Sequence, residues 1–197
     1  MKETLIDNFI SQKRIGSYKN IDEYIENLTF SKSSYIPLSV LEIALRNAIN
    51  NFFSVVVGID WYEDATFLTK DGIKKVNDAK SVLIGRRENV SKNKVIAELS
   101  FGFWVNLFKK PYDKKLRIKE LRKIFPNLPK PEQKFINREI IYRELNHIRN
   151  FRNRVFHYEK VINKDSYNSV HNEIYEILSY FDDELKEFAF STNTWGA

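Results

Sequence analysis

From Val40 to Val56 the apolar residues Leu41, Ala44, Leu45, Ala48, Ile49, Phe52 and Val56 recur three or four positions apart, and Gly58 follows where such a run can stop. On a helix this spacing draws one apolar stripe, and a helix with such a stripe must bury it against others. The same period returns through Ile141, Leu145, Ile148, Phe151 and Val155, and again through Val170, Ile174, Ile177, Phe181, Leu185 and Phe188. Strand-like alternation has no convincing instance, since Val55-Val56-Val57 is too short to count. The expected fold class is therefore all-α.

Local signals divide the chain into helices. Asn20, with Glu23 three residues on, resembles a capping box opening a short helix through Tyr24 and Leu28, and another helix is expected to begin near Pro37. Thr69 can cap a helix through Ile73, Val76 and Leu83, and Ser91 can precede one running through Val95, Ile96, Leu99, Phe103 and Leu107. Pro126, Pro129 and Pro131 make a stiff connection, with Pro131 suited to the first turn of a helix from about Glu132 to Tyr158. A last helix is expected from about Ser166 to Phe190.

No repeat, low-complexity tract or flexible linker interrupts the 197 residues, so a single domain over 1–197 is expected. With 43% hydrophobic residues, among them 15 Phe and 10 Tyr, such a domain can bury a core without staples. The absence of Cys removes disulfides, thiol nucleophiles and thiolate metal sites, and it fits a reducing, cytoplasmic compartment. Met1 to Phe9 carries Glu3 and Asp7 and does not read as a secretion signal. No apolar run approaches the roughly 18 residues of a membrane span.

Charge is distributed unevenly. Eight basic residues (Lys109, Lys110, Lys114, Lys115, Arg117, Lys119, Arg122 and Lys123) stand against Asp113 and Glu120, whereas Asp165 to Glu187 holds seven acidic residues against Lys186 alone. A basic stretch of this density can follow a phosphate backbone; a solvated helix face beside an acidic partner would read the same way.

Few residues could do chemistry. The three His, at 147, 157 and 171, lack the spacing of a zinc helix, and no glycine-rich phosphate loop or Ser elbow is present, so neither metal nor cofactor is expected. The segment Ile148 to Glu159 concentrates three Arg, two Asn and one His in a helix that otherwise builds core. On a helical wheel Arg149, Asn153 and His157 form one polar row, while Arg152 falls inside the apolar stripe. A guanidinium there needs a carboxylate such as Glu42, or a wet cleft. Glu42, Arg46 and Asn50 line one edge of the earlier stripe, where an ordinary intrahelical ion pair is the plainer reading. The aromatic segment Ala97 to Trp104 reads as core, with Gly102 allowing close helix approach, although Trp104 or Phe101 could stack on a base.

Arg152-Asn153-Arg154-Val155-Phe156-His157 resembles the Arg, polar residue and downstream His of HEPN domains. Arg14 to Tyr18, Leu41 to Asn47, Lys94 to Leu107 and Arg152 to Glu159 look like successive blocks of Abi-like (abortive infection) proteins in that superfamily. The resemblance implies a HEPN-like helical bundle with additional helices, and a bacterial phage-defence or toxin protein that cleaves RNA without metal as a homodimer. It carries catalytic roles to Arg152, Asn153 and His157 and a structural or interface role to Glu42 and Arg46. Tyr158 departs from the pattern, standing where several relatives show a second His.

In the implied chemistry neutral His157 removes the proton of a ribose 2′-hydroxyl, which attacks the adjacent phosphorus and leaves a 2′,3′-cyclic phosphate. Arg152 steadies the developing charge, and Arg149 and Arg154, with Lys109, Lys110, Lys114, Lys115, Arg117, Arg122 and Lys123, hold the backbone of the RNA. An antitoxin or small RNA is a further expected partner. Two readings compete: a non-catalytic RNA-binding or regulatory protein, and a protein-interaction module.

Overall fold

The computed structural model describes residues 6–193, so Met1 to Leu5 of the N-terminal stretch read above lie outside the described residues. Every regular element among those described is helical. A π-helical turn at Ile6–Ile10 precedes α1 (Gln12–Ile15), α2 (Ile21–Val56), α3 (Lys70–Gly85), α4 (Lys92–Glu98), α5 (Phe101–Asn106), α6 (Ile118–Ile124), α7 (Arg138–Phe156), α8 (Val170–Phe181) and α9 (Asp183–Asn193), with 3-10 turns at Trp61–Glu63, Lys110–Lys115 and Asp165–Tyr167. No helix among the described residues is long and apolar enough to cross a membrane.

The axis of the molecule is α2, which packs on α5, α6, α7, α8 and α9. Asn20 caps it through a 2.9 Å bond from the Glu23 N–H to its side chain. Where two helices were expected, with the second opening near Pro37, one helix of 36 residues runs straight past the proline. Pro37 has no N–H for the carbonyl of Ser33, four residues back. Asn193 Nδ2, at the end of α9, donates to that carbonyl at 2.7 Å instead, so the helix continues without an orphaned acceptor. The stripe through Leu41, Leu45 and Ile49 is fully buried, and Gly58, at φ 137°, ends the run in a backbone region open to glycine.

Three other expected boundaries move. The helix after Ser91 stops at Glu98; Leu99 and Ser100 are extended, and Trp104 Nε1 donates to the Leu99 carbonyl freed by the break at 3.2 Å. Helix α7 begins at Arg138 rather than near Glu132, because extended Asn137 caps it by accepting from the Ile140 N–H at 2.9 Å. The last helix is two, parted at extended Asp182, whose side chain receives the Glu184 N–H at 2.6 Å.

One cluster of buried side chains extends from Leu38 to Ala189. At one end Phe53, Trp61, Phe67, Phe103 and Trp104 pack with ring centroids 4.7 to 6.3 Å apart. Trp104 and Phe101 are both buried, so the aromatic segment is core and offers no ring for a nucleobase. The approach at Gly102 does not depend on glycine: a Cβ there would lie 3.5 Å from Arg149 Cδ of α7, an ordinary contact.

Candidate functional site

Helix α7 ends in a Schellman motif built around the candidate residues. The Glu159 N–H returns to the Arg154 carbonyl at 2.9 Å and the Tyr158 N–H to Val155 at 3.0 Å. His157 is thereby the C-cap and Tyr158 takes the left-handed position at φ 58°, where glycine is usual.

The loop beyond is fastened to α2. Asn27 Oδ1 accepts from Val161 N at 2.7 Å and Ile162 N at 3.3 Å, while its Nδ2 donates to the Glu159 carbonyl at 3.3 Å. Buried Glu23 receives Lys160 Nζ at 2.9 Å, Asn163 Nδ2 at 2.7 Å and the Lys19 N–H. These bonds, Lys160 first, then Lys19 and Asn163, hold the Glu23 carboxyl down to about 2. Arg14 adds a bond to the Tyr158 carbonyl. Glu23 and Asn27 escaped the sequence reading as partners of this loop. Their only available signal was a polar residue on the inward side of a helix.

Arg152, foreseen inside the apolar stripe, finds the carboxylate it requires: its Nη2 lies 3.4 Å from Glu42 Oε2, with the side chains 30% and 28% exposed. The guanidinium also sits 4.3 Å over the Phe156 ring, and its buried Nε has no hydrogen-bond partner. The ion pair expected between Glu42 and Arg46 is not formed. Glu42 turns across to α7, and Arg46 Nε donates to its neighbour Asn47 at 3.3 Å. Asn50 accepts from Trp61 Nε1 at 3.2 Å.

The polar row is distributed between helices and solvent. Arg149 crosses to α5, reaching Asn106 Oδ1 at 3.4 Å, with its Nε buried and unpartnered like that of Arg152. Asn146 Oδ1, on the same polar side of α7 and overlooked in the sequence, is a third buried atom without a partner. Asn153 and His157 are exposed.

The three imidazoles separate cleanly by environment. His147 Nδ1 is 2.6 Å from Glu173 Oε2, its ring stacked 5.4 Å from Tyr167. His171 stacks on Phe30 at 4.6 Å and meets the buried Ser34 hydroxyl at 2.7 Å; burial pushes its pKa down. Among the described residues only His157 presents a ring to solvent with no hydrogen-bond partner.

Arg152 and His157, five residues apart, leave α7 in directions separated by about 140°. Neither the cleft lined by Arg154 and Tyr158 nor the trough lined by Val155 and Phe156 has Arg152 or His157 in its wall. One copy of the chain therefore does not bring the guanidinium and the imidazole together.

The basic stretch lies at the other end of α7. Arg138, its first residue, donates to Asp113 at 2.7 Å and to the Phe108 carbonyl, which sets the Lys110–Lys115 turn beside it. From Arg138 to His157 the helix rises about 28 Å. Within the stretch, Arg122 is engaged by the Leu128 and Pro129 carbonyls at 2.9 Å each, and Lys115 covers the Phe67 ring at 4.1 Å. Lys109, Lys110, Lys114, Arg117 and Lys123 are exposed. Among the described residues no three His, Asp or Glu side chains are grouped as metal ligands.

No family model, curated protein or solved structure matches the chain.

Proposed function

We propose that the chain is a HEPN-type endoribonuclease of a phage-defence or toxin system, acting through Arg152, Asn153 and His157. The observation that carries this reading is the isolation of His157. Two of three imidazoles are absorbed by packing and hydrogen bonding, and the third is the C-cap of α7, open to solvent and without a partner among the described residues. Such a ring is free to take the proton of a 2′-hydroxyl. The 2′-oxygen then bonds to phosphorus, the P–O5′ bond breaks, and the departing oxygen needs a proton from a second acid.

A second copy of the chain supplies that acid in this reading. The divergence of Arg152 and His157 within one copy leaves a two-fold pairing as the way this reading brings a guanidinium and an imidazole together. Further support comes from the outer face of α2, where Ile25, Leu28, Tyr35 and Ile43 are about half exposed at helical spacing. Glu42 and Arg46 project along the same side of the helix. Beside them a trough of about 660 Å³ is lined by Leu28, Tyr35, Ile36, Val155, Phe156 and Tyr158. Pairing there would bring two α7 ends together.

The Arg152–Glu42 pair favours a second reading, in which the segment serves only structure or protein contact. Incubation with total RNA separates the two: the nuclease reading expects cleavage by the wild type and none by folded His157→Ala. Absence of cleavage in both, with Arg152→Ala converting a dimer to a monomer, would establish the interaction module instead.

A further inference from the structure

Past the C-terminal end of α7 a cleft of about 540 Å³ has Arg154 and Tyr158, the residue that follows His157, in its wall. Its other charged lining comes from Lys13, Arg14, Lys160, Lys164 and Glu159, so five cations face a single carboxylate. Two of the five are matched. Arg154 pairs with Glu159 at 2.6 Å, and Lys160 is held by Glu23 at 2.9 Å and the Ser17 carbonyl at 3.1 Å. Arg14 meets only the Tyr158 carbonyl, and no carboxylate among the described residues is in ion-pair range of Lys13 or Lys164. Three positive charges without an ion-pair partner among the described residues thus line one cleft. Burial and then Arg154 push the Lys164 pKa down, Glu159 partly offsets them, and Lys160 lowers it further. An anion in the cleft would relieve that repulsion.

The position matters as much as the charge. Arg154 and His157 are three residues apart and leave α7 on one side. The basic stretch from Lys109 to Lys123, by contrast, is about 28 Å away along the helix. We propose that this cleft, and not the Lys109–Lys123 stretch, seats the phosphodiester backbone of the RNA strand on which His157 acts, through Lys13, Arg14 and Lys164. The proposal rests on the nuclease reading above. It places the strand so that a ribose leaving the cleft passes the exposed imidazole.

The test uses the full chain carrying His157→Ala, which cannot cut, and a fluorescent single-stranded RNA oligonucleotide titrated at several salt concentrations. Each phosphate contact to a single strand contributes about 0.7 to the slope of log affinity against log salt. Adding Lys13→Gln and Lys164→Gln is expected to weaken binding and reduce that slope by about 1.4, and Lys13→Gln alone by about half as much. Adding Lys114→Gln and Lys115→Gln instead is expected to leave the slope in place. Lys13 is exposed and Lys164 partly so, and neither has an ion-pair partner to lose; the urea midpoint checks folding. The reverse pattern, an unchanged slope for the cleft variants and a reduced one for Lys114 and Lys115, would overturn the location while leaving RNA as ligand. Failure of every form to bind RNA would overturn both this proposal and the reading beneath it.

Discussion

Arg152 Nη2 and Glu42 Oε2 stand 3.4 Å apart, joining the end of α7 to the middle of α2 at the border of the exposed apolar face. Both side chains are partly solvated, so the pair is worth about 0–1 kcal/mol. Glu42→Gln is therefore expected to shift urea unfolding by no more than about 1 kcal/mol and to leave RNA cleavage within a few-fold of wild type. Arg152→Ala should fold as well yet lose cleavage by about 100-fold or more, the scale of a lost charge-stabilising donor. Equal losses in the two variants would show that the ion pair, rather than the guanidinium, matters.

Glu23 makes stability depend on acid. Its carboxyl is held at about 2 in the folded chain against an ordinary value of 4.5, so folding favours the ionised form. That contribution is complete above pH 4.5, declines as the pH falls, and is lost on passing about 2. Urea midpoints of the wild type should drop across this window. Glu23→Gln should start lower at neutral pH and follow a flatter profile, which parallel titrations would check.

Asn193 and Pro37 should be energetically coupled through the Ser33 carbonyl. Asn193→Ala removes the bond that replaces the one proline denies, costing about 1 kcal/mol. In a Pro37→Ala background the helix can close its own bond to Ser33, and the same change should cost less. A double-mutant cycle by chemical denaturation measures the difference; equal costs in both backgrounds would contradict the role given to Asn193.

Periodicity made the helices legible, and Arg152 was legible for the same reason: a charge inside an apolar stripe announces that it has a partner, and Glu42 is that partner. Breaks at Ser100 and Asp182 were hidden because apolar residues continue in phase across them. Continuity past Pro37 was hidden for the opposite reason. The residue that rescues it, Asn193, lies 160 positions from the Ser33 carbonyl it serves. The grip of Asn27 on Val161 and of Glu23 on Asn163 likewise has no local signature. Nor could spacing reveal that the densest basic stretch would fold against Arg138 while a sparser set, drawn from both ends of the chain, would gather around Arg154 and Tyr158.

The most direct measurement uses an oligonucleotide spanning a cut mapped in total RNA, remade as DNA except for the single ribose before the scissile phosphate. The account predicts cleavage at that one linkage, a 2′,3′-cyclic phosphate on the upstream product, and no product when the ribose becomes deoxyribose or when His157 becomes Ala. Cleavage of the all-DNA strand, or cleavage that persists unchanged in both His157→Ala and Arg152→Ala, would contradict it.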